Sequence, residues 1–172
     1  MKKVFRFSLY ILIVLILTGL VKTFVFQRAI VDGDSMLNTL NNGDNLIVSK
    51  LQTFSGKYKR FDIVVFPHDK SNNIFYIKRI VGMPGETVQI KDGMVYIDDI
   101  PLIEHFGKES INDGGIASNP IILGTDEYFV LGDNRNESMD SRSTDVGSIK
   151  KKEIMGKVVL RIWPLNSFGT LR

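Results

Sequence analysis

Ile74-Phe75-Tyr76-Ile77-Lys78-Arg79-Ile80-Val81 is the run on which the fold turns. Its β-branched and aromatic side chains suit a pleated surface better than a helix, so it reads as a strand, closed by Gly82-Met83-Pro84-Gly85. Runs of the same kind recur on either side: Leu46-Ile47-Val48, Asp62-Ile63-Val64-Val65-Phe66, Thr87-Val88-Gln89-Ile90, Met94-Val95-Tyr96-Ile97, and residues 127–131 and 157–162. Asp92-Gly93 supplies the positive φ angles of a tight type I′ turn, so the third and fourth of these runs form a hairpin. No long helical periodicity follows residue 30; a helical turn is expected at residues 36–40 and another near 145–150. The body is therefore mainly β. Residues 103–124 are rich in turn formers and lack periodicity, which predicts a short, mobile insertion.

Ahead of this body, nothing from Phe7 to Val21 is charged, and residues 9–17 are apolar without amphipathic spacing. Counted through Lys22, whose stem can snorkel, residues 7–26 make 20 positions, and about 20 helical residues span a bilayer core. A cleavable secretory signal shares the basic start and apolar centre but needs a small-x-small site. Leu20-Val21-Lys22-Thr23-Phe24-Val25-Phe26 offers bulky residues and a lysine instead, so an uncleaved transmembrane anchor is expected. Lys2, Lys3 and Arg6 outweigh Lys22 and Arg28, which keeps residues 1–6 in the cytoplasm and places 27–172 outside.

The charge balance agrees with that division. Of 22 Lys and Arg, those five lie in the first 31 residues with no acid, leaving 17 bases against 19 acids and a body near −2. Basic character confined to one end points to anionic lipid, and no nucleic-acid surface is expected. The absence of cysteine excludes disulfides, thiolate metal sites and cysteine nucleophiles. With two histidines, a Ser-His-Asp triad or a histidine-based metal cluster would have to use His68 or His105, both in turn-like surroundings.

Three clusters carry residues suited to chemistry. Ser35 lies in Val31-Asp32-Gly33-Asp34-Ser35-Met36, a few residues past the anchor, where a serine reads equally as a turn or cap residue. Lys78 interrupts a strand made for burial. By strand alternation it faces solvent; pointing inward, it would be desolvated and its amine freed to act as a base toward Ser35. Leu131 to Arg142 packs Asp133, Asn134, Arg135, Ser138, Asp140 and Arg142 after an apolar strand, which is either a solvated loop or a pinned set of ion pairs holding a site.

In this order the clusters resemble the bacterial type I signal peptidase family, the serine–lysine family S26, from the anchor nearly to the carboxyl terminus. Ser35-Met36 with Thr39-Leu40 is similar to its nucleophile box, Gly43 to Val48 to the following strand box, and Lys78 to Gly85 to its lysine box. Gly132-Asp133-Asn134-Arg135 with Ser138, Asp140, Ser141 and Arg142 matches the last box almost letter for letter, and Arg161-Ile162-Trp163-Pro164 is similar to the closing strand. The resemblance implies an antiparallel β-sheet catalytic domain of the signal-peptidase and LexA-like kind behind one transmembrane helix. It further implies Ser35 as nucleophile, Lys78 as general base, and Ser138 orienting the lysine. Asp140 with Arg142 and Asp133 with Arg79 would be supporting ion pairs, and Met36 would line the pocket for the small residue before the cut. The implied partners are preprotein signal peptides, cut after an Ala-x-Ala-like site at the outer face of the cytoplasmic membrane, and the bilayer itself. No metal or organic cofactor is implied.

Two positions depart from the family pattern. Gly33 stands where some members place a second hydroxyl donor to the oxyanion, and Asn38 where the family usually has proline. Three other readings compete. A self-cleaving repressor of the LexA type would need a DNA-binding helix-turn-helix where the apolar run lies, a histidine-dependent esterase would rely on His68 or His105, and a non-catalytic relative would bind pilus or secreted precursors as an assembly factor.

Overall fold

A computed structural model describes residues 2–69, 74–107 and 109–171. The chain opens with helix α1 (Lys2–Phe24) and passes directly into strand β1 (Phe26–Ile30). A long turn leads to β2 (Asn45–Ser49) and a short helix α2 (Leu51–Ser55), followed by β3 (Ile63–Asp69) and β4 (Ile74–Gly82). Next come β5 (Thr87–Lys91), β6 (Met94–Ile97), β7 (Ile100–Pro101), β8 (Ile121–Ile122) and β9 (Glu127–Leu131). The chain closes with β10 (Ile149–Lys150), β11 (Gly156–Trp163) and β12 (Gly169–Thr170).

These strands form two antiparallel sheets. The larger runs β1-β2-β11-β3-β4-β9-β10 with β12 on β11, and the smaller runs β7-β6-β5-β8. The hairpin at Asp92-Gly93 forms with φ of +52° and +74° and pairs Lys91 with Met94, as the Asp-Gly step predicts. One face of the larger sheet packs Met36, Leu40, Leu46, Val48, Ile63, Val65 and Val158; the other packs Tyr58, Val64, Phe66, Ile80, Tyr128 and Val130. A third core, including Val81, Val88, Ile90 and Val95, joins the smaller sheet to the larger.

Residues 36–40 make the expected single turn, with the Thr39 and Leu40 amides donating to the Met36 carbonyl, and it is not continued into a helix. Residues 145–150 turn into β10 instead of a helix, and the single 3₁₀ turn there comes later, at Lys151–Glu153. The stretch 103–124, read as a mobile excursion, contributes Ile111, Ala117 and Leu123 to the third core and strand β8 to the smaller sheet. Scattered apolar residues without period hold it at those points, because each meets the sheet singly and not along one face, while most residues between them stay exposed.

Helix α1 presents residues 9–17 to the exterior, each at least 43% exposed, with no protein surface covering them. Among the described residues no helix is long and apolar enough to cross a membrane. The side chains of residues 20–24 lie outside those described, so the reading of Lys22 as a snorkelling residue does too.

Candidate active site

Strand β4 carries Lys78 into the interior. Alternation predicted an outward lysine, but from Lys78 onward every residue of β4 is buried, because both faces of the sheet are covered at this point. Lys78 is only 3% exposed. Its Nζ lies 2.7 Å from Ser35 Oγ, and the contact spans 43 residues of sequence. Burial is the largest influence on the amine and lowers its pKa from 10.5 to about 8; Asp140 and then Asp133 act in the opposite sense. A lysine in this setting is neutral over part of the ordinary pH range, and its nitrogen lies within hydrogen-bond reach of a hydroxyl.

The loop that presents Ser35 is pinned at several points. Val31 donates to the Asp44 carbonyl and Gly43 to the Val31 carbonyl, closing the base of the turn, while Met36 and Leu40 sink into the core. The Asn134 amide donates to the Ser35 carbonyl at 3.0 Å and the Asn134 side chain to the Asp34 carbonyl at 3.1 Å. Gly132 packs so closely that a Cβ there would lie 2.5 Å from the Ser35 carbonyl oxygen and 2.2 Å from Ser138 Oγ, so only glycine fits. Gly33 has φ of +97°, a left-handed conformation that serine or threonine would adopt only under strain. The missing hydroxyl at that position thus has a backbone reason.

Two ion pairs brace this arrangement. Arg79, next to the lysine but on the opposite side of the strand, grips Asp133 with Nε at 2.8 Å and Nη2 at 2.7 Å, and neither side chain is exposed. Asp133 also accepts from the Thr39 hydroxyl, which ties the loop carrying Ser35 to the same carboxylate. Arg142 grips Asp140 at 2.8 and 2.9 Å, and Asp140 accepts from the Gly132 amide at 3.0 Å. The stretch after β9 is therefore a pinned network and not a solvated loop.

Ser138 sits differently from the expectation. Its Oγ is buried near Gly132 and has no hydrogen-bond partner among the described residues, so it makes no bond to Lys78 in this conformation. The sequence reading also passed over four contacts. Arg161 Nη1 donates to the Thr39 carbonyl at 3.1 Å and to Asp44 Oδ2 at 2.8 Å. The Arg79 guanidinium stacks on Phe106 at 3.6 Å. Tyr76 lies with its ring centroid 5.0 Å from Lys78 Nζ. An aromatic two residues before the lysine on the same strand face was the one signal available for the last of these.

A cleft of about 250 Å³ opens onto Ser35 and Lys78, walled by Ile30, Met36, Tyr76, Ile77 and Met139. A groove of about 420 Å³ adjoins it and shares Ile30, Asp32, Phe75, Tyr76 and Ile77. His68 lines a separate pocket with Asp145 and Glu153. Among the described residues no cluster of three or more His, Asp and Glu is placed to hold a metal ion.

An antiparallel β domain that opens a cleft of mixed polarity onto a fixed serine hydroxyl is the frame of a serine hydrolase as a class. The chain matches the family described as signal peptidase, peptidase S26, over residues 4–163. It is 39% identical to signal peptidase I P of Bacillus subtilis subsp. natto over 91% of this chain and 87% of that protein. Against signal peptidase I S of Bacillus subtilis strain 168 the identity is 35%, over 96% of this chain and 92% of that protein. A signal peptidase I from Enterococcus faecalis, known from its crystal structure, is 31% identical with a TM-score of 0.46, over 59% of this chain and 96% of that one. The chain belongs to the signal peptidase family, peptidase S26, and is a serine endopeptidase of that family.

Proposed function

We propose that this protein is a membrane-anchored signal peptidase that removes amino-terminal signal peptides from translocated preproteins with a Ser35–Lys78 dyad. The observation that carries the reading is the 2.7 Å approach of a buried Lys78 amine to the Ser35 hydroxyl. As Ser35 Oγ attacks the scissile carbonyl, the neutral amine accepts the hydroxyl proton; the resulting ammonium donates it to the leaving amine. The acyl-enzyme is then opened by a water that gives its proton to the same amine, which returns it to Ser35. The Ser35 amide receives the developing oxyanion. The two ion pairs act by holding geometry. Asp133 with Arg79 fixes the nucleophile loop against β4, and Asp140 with Arg142 fixes the Gly132 turn beside it.

Buried Met36 lines the cleft beside Ser35, which supports a pocket for a small side chain before the cut and cleavage after a small-x-small sequence. The described part of α1 is too short to span a bilayer by itself, and the anchor reading rests on the full count of residues 7–26; the exposure of residues 9–17, which no protein buries, supports lipid as their solvent. The catalytic domain then lies on the extracytoplasmic face, next to where a substrate's own apolar segment holds its cleavage site.

The test is incubation of detergent-solubilised protein with a preprotein carrying an Ala-x-Ala site, followed by sequencing of the new amino terminus. Cleavage after the last alanine is expected. Ser35→Ala and Lys78→Arg should each abolish it, the latter because arginine keeps the charge and cannot release a proton. Undiminished cutting by Lys78→Arg would rule out the base, and binding without cutting by the unaltered chain would favour an assembly factor.

A further inference from the structure

Lys78 does not stand alone on its strand face. The register pairs Phe66 with Tyr76 and Val64 with Lys78, so side chains two residues apart line one face, and His68 and Lys78 flank Tyr76 from opposite ends. His68 stacks on the Tyr76 ring with centroids 4.4 Å apart and planes 5° from parallel. Phe66 meets the same ring edge-on at 6.1 Å, and the Tyr76 hydroxyl donates to Met139 Sδ at 3.3 Å. The orientation of the phenol is thus fixed from three sides, and its ring lies 5.0 Å from Lys78 Nζ, within the range of a cation–π contact.

We propose that Tyr76 and His68 are positioning residues for the lysine. Stacked His68 holds the Tyr76 ring against Lys78 Nζ, and that ring governs how firmly the amine keeps its proton. The inference rests on the dyad reading given above. An aromatic face attracts the ammonium form and not the neutral amine, so the ring opposes the effect of burial. The other charged groups facing Lys78 come from the turn after β9: Asp140 and Asp133, each paired with an arginine. Glu137, Asp32 and Asp34 line the cleft at greater exposure, and Asp145 and Glu153 face His68 from its far side. None of these replaces the aromatic contact, because none is a ring on the strand face of the lysine.

Since His68 is exposed, its replacement leaves the core intact. The experiment is the pH dependence of kcat/KM for the full chain in detergent, whose acid limb reports the free enzyme's base. With His68→Ala the ring is freed to turn away, and with Tyr76→Leu it is gone. Both should move the acid limb to lower pH, by about half to one unit for complete loss of the contact. His68→Phe keeps a flat stacking partner and should restore the unaltered limb. The inference is overturned if His68→Ala and Tyr76→Leu leave the limb in place, including the case in which Tyr76→Leu raises KM alone and so marks Tyr76 as cleft wall only. It is also overturned if His68→Phe shifts the limb as far as His68→Ala. Retained activity in Lys78→Arg would sink the dyad instead, so the two failures are distinguishable.

Discussion

An ammonium buried in an apolar interior loses water that its few neighbours only partly replace, and Lys78 shows the consequence in its pKa of about 8. If the neutral amine is the base, activity rises with pH through a half-maximum near 8, and kcat/KM measured from pH 6 to 10 checks it. The same shift has a stability signature. The folded pKa is depressed below the ordinary 10.5, so between about 8 and 10.5 the unfolded chain binds more protons and stability rises with pH. Below that window the folded state carries the full desolvation cost, on the order of 3 kcal/mol. Lys78→Met removes it. The variant should be more stable than the unaltered chain at pH 7 by about 2 to 3 kcal/mol in denaturant unfolding, allowing for its lost bond to Ser35, and the gap should close toward pH 10.5. An equal gap at both pH values would show that the amine is not desolvated.

At the scale of elements, β4 and the turn after β9 are joined by charge as well as by backbone pairing. Asp133→Ala would leave Arg79 charged, fully buried and without its carboxylate, a change that costs about 3 to 5 kcal/mol in such settings. Thr39→Val removes the hydroxyl that ties the Ser35 loop to that carboxylate and also accepts from Arg79 Nη2 at 3.3 Å. A loss of about 1.5 to 3 kcal/mol is expected for a hydrogen bond to a charged group, together with a fall in kcat larger than any change in KM. Thermal unfolding and steady-state kinetics on the two variants separate the structural role of the pair from its role in holding Ser35. An unchanged kcat in Thr39→Val would remove the loop tie from the mechanism.

For the molecule as a whole, the proposed anchor and the catalytic cleft are close in sequence: α1 ends at Phe24 and Ser35 follows one strand and one turn later. Tethering enzyme and substrate to one bilayer raises their effective concentration without any new contact. A chain beginning at Val25 should therefore cut a short soluble Ala-x-Ala peptide about as well as the full chain. It should lose on the order of 100-fold against a preprotein embedded in vesicles, by that same effective-concentration argument. Flotation with vesicles should be confined to the full chain. Equal rates of both chains on the embedded preprotein would mean that α1 contributes nothing to catalysis.

Local chemistry made much of this legible from residues alone. The Asp92-Gly93 turn, the β-branched runs and the Gly-rich turns beside Ser35 and Lys78 all speak through short-range preferences that need no partner. The docking of Ile111, Ala117 and Leu123, the orphaned Ser138 hydroxyl and the inward course of Lys78 were decided only when distant segments met. Strand alternation tells which of two faces a side chain takes, but not whether a second layer covers that face, and here both faces of β4 are covered. The reach of 43 residues between Ser35 and Lys78 is likewise a property of sheet order, β3 and β9 flanking β4, which no local pattern encodes.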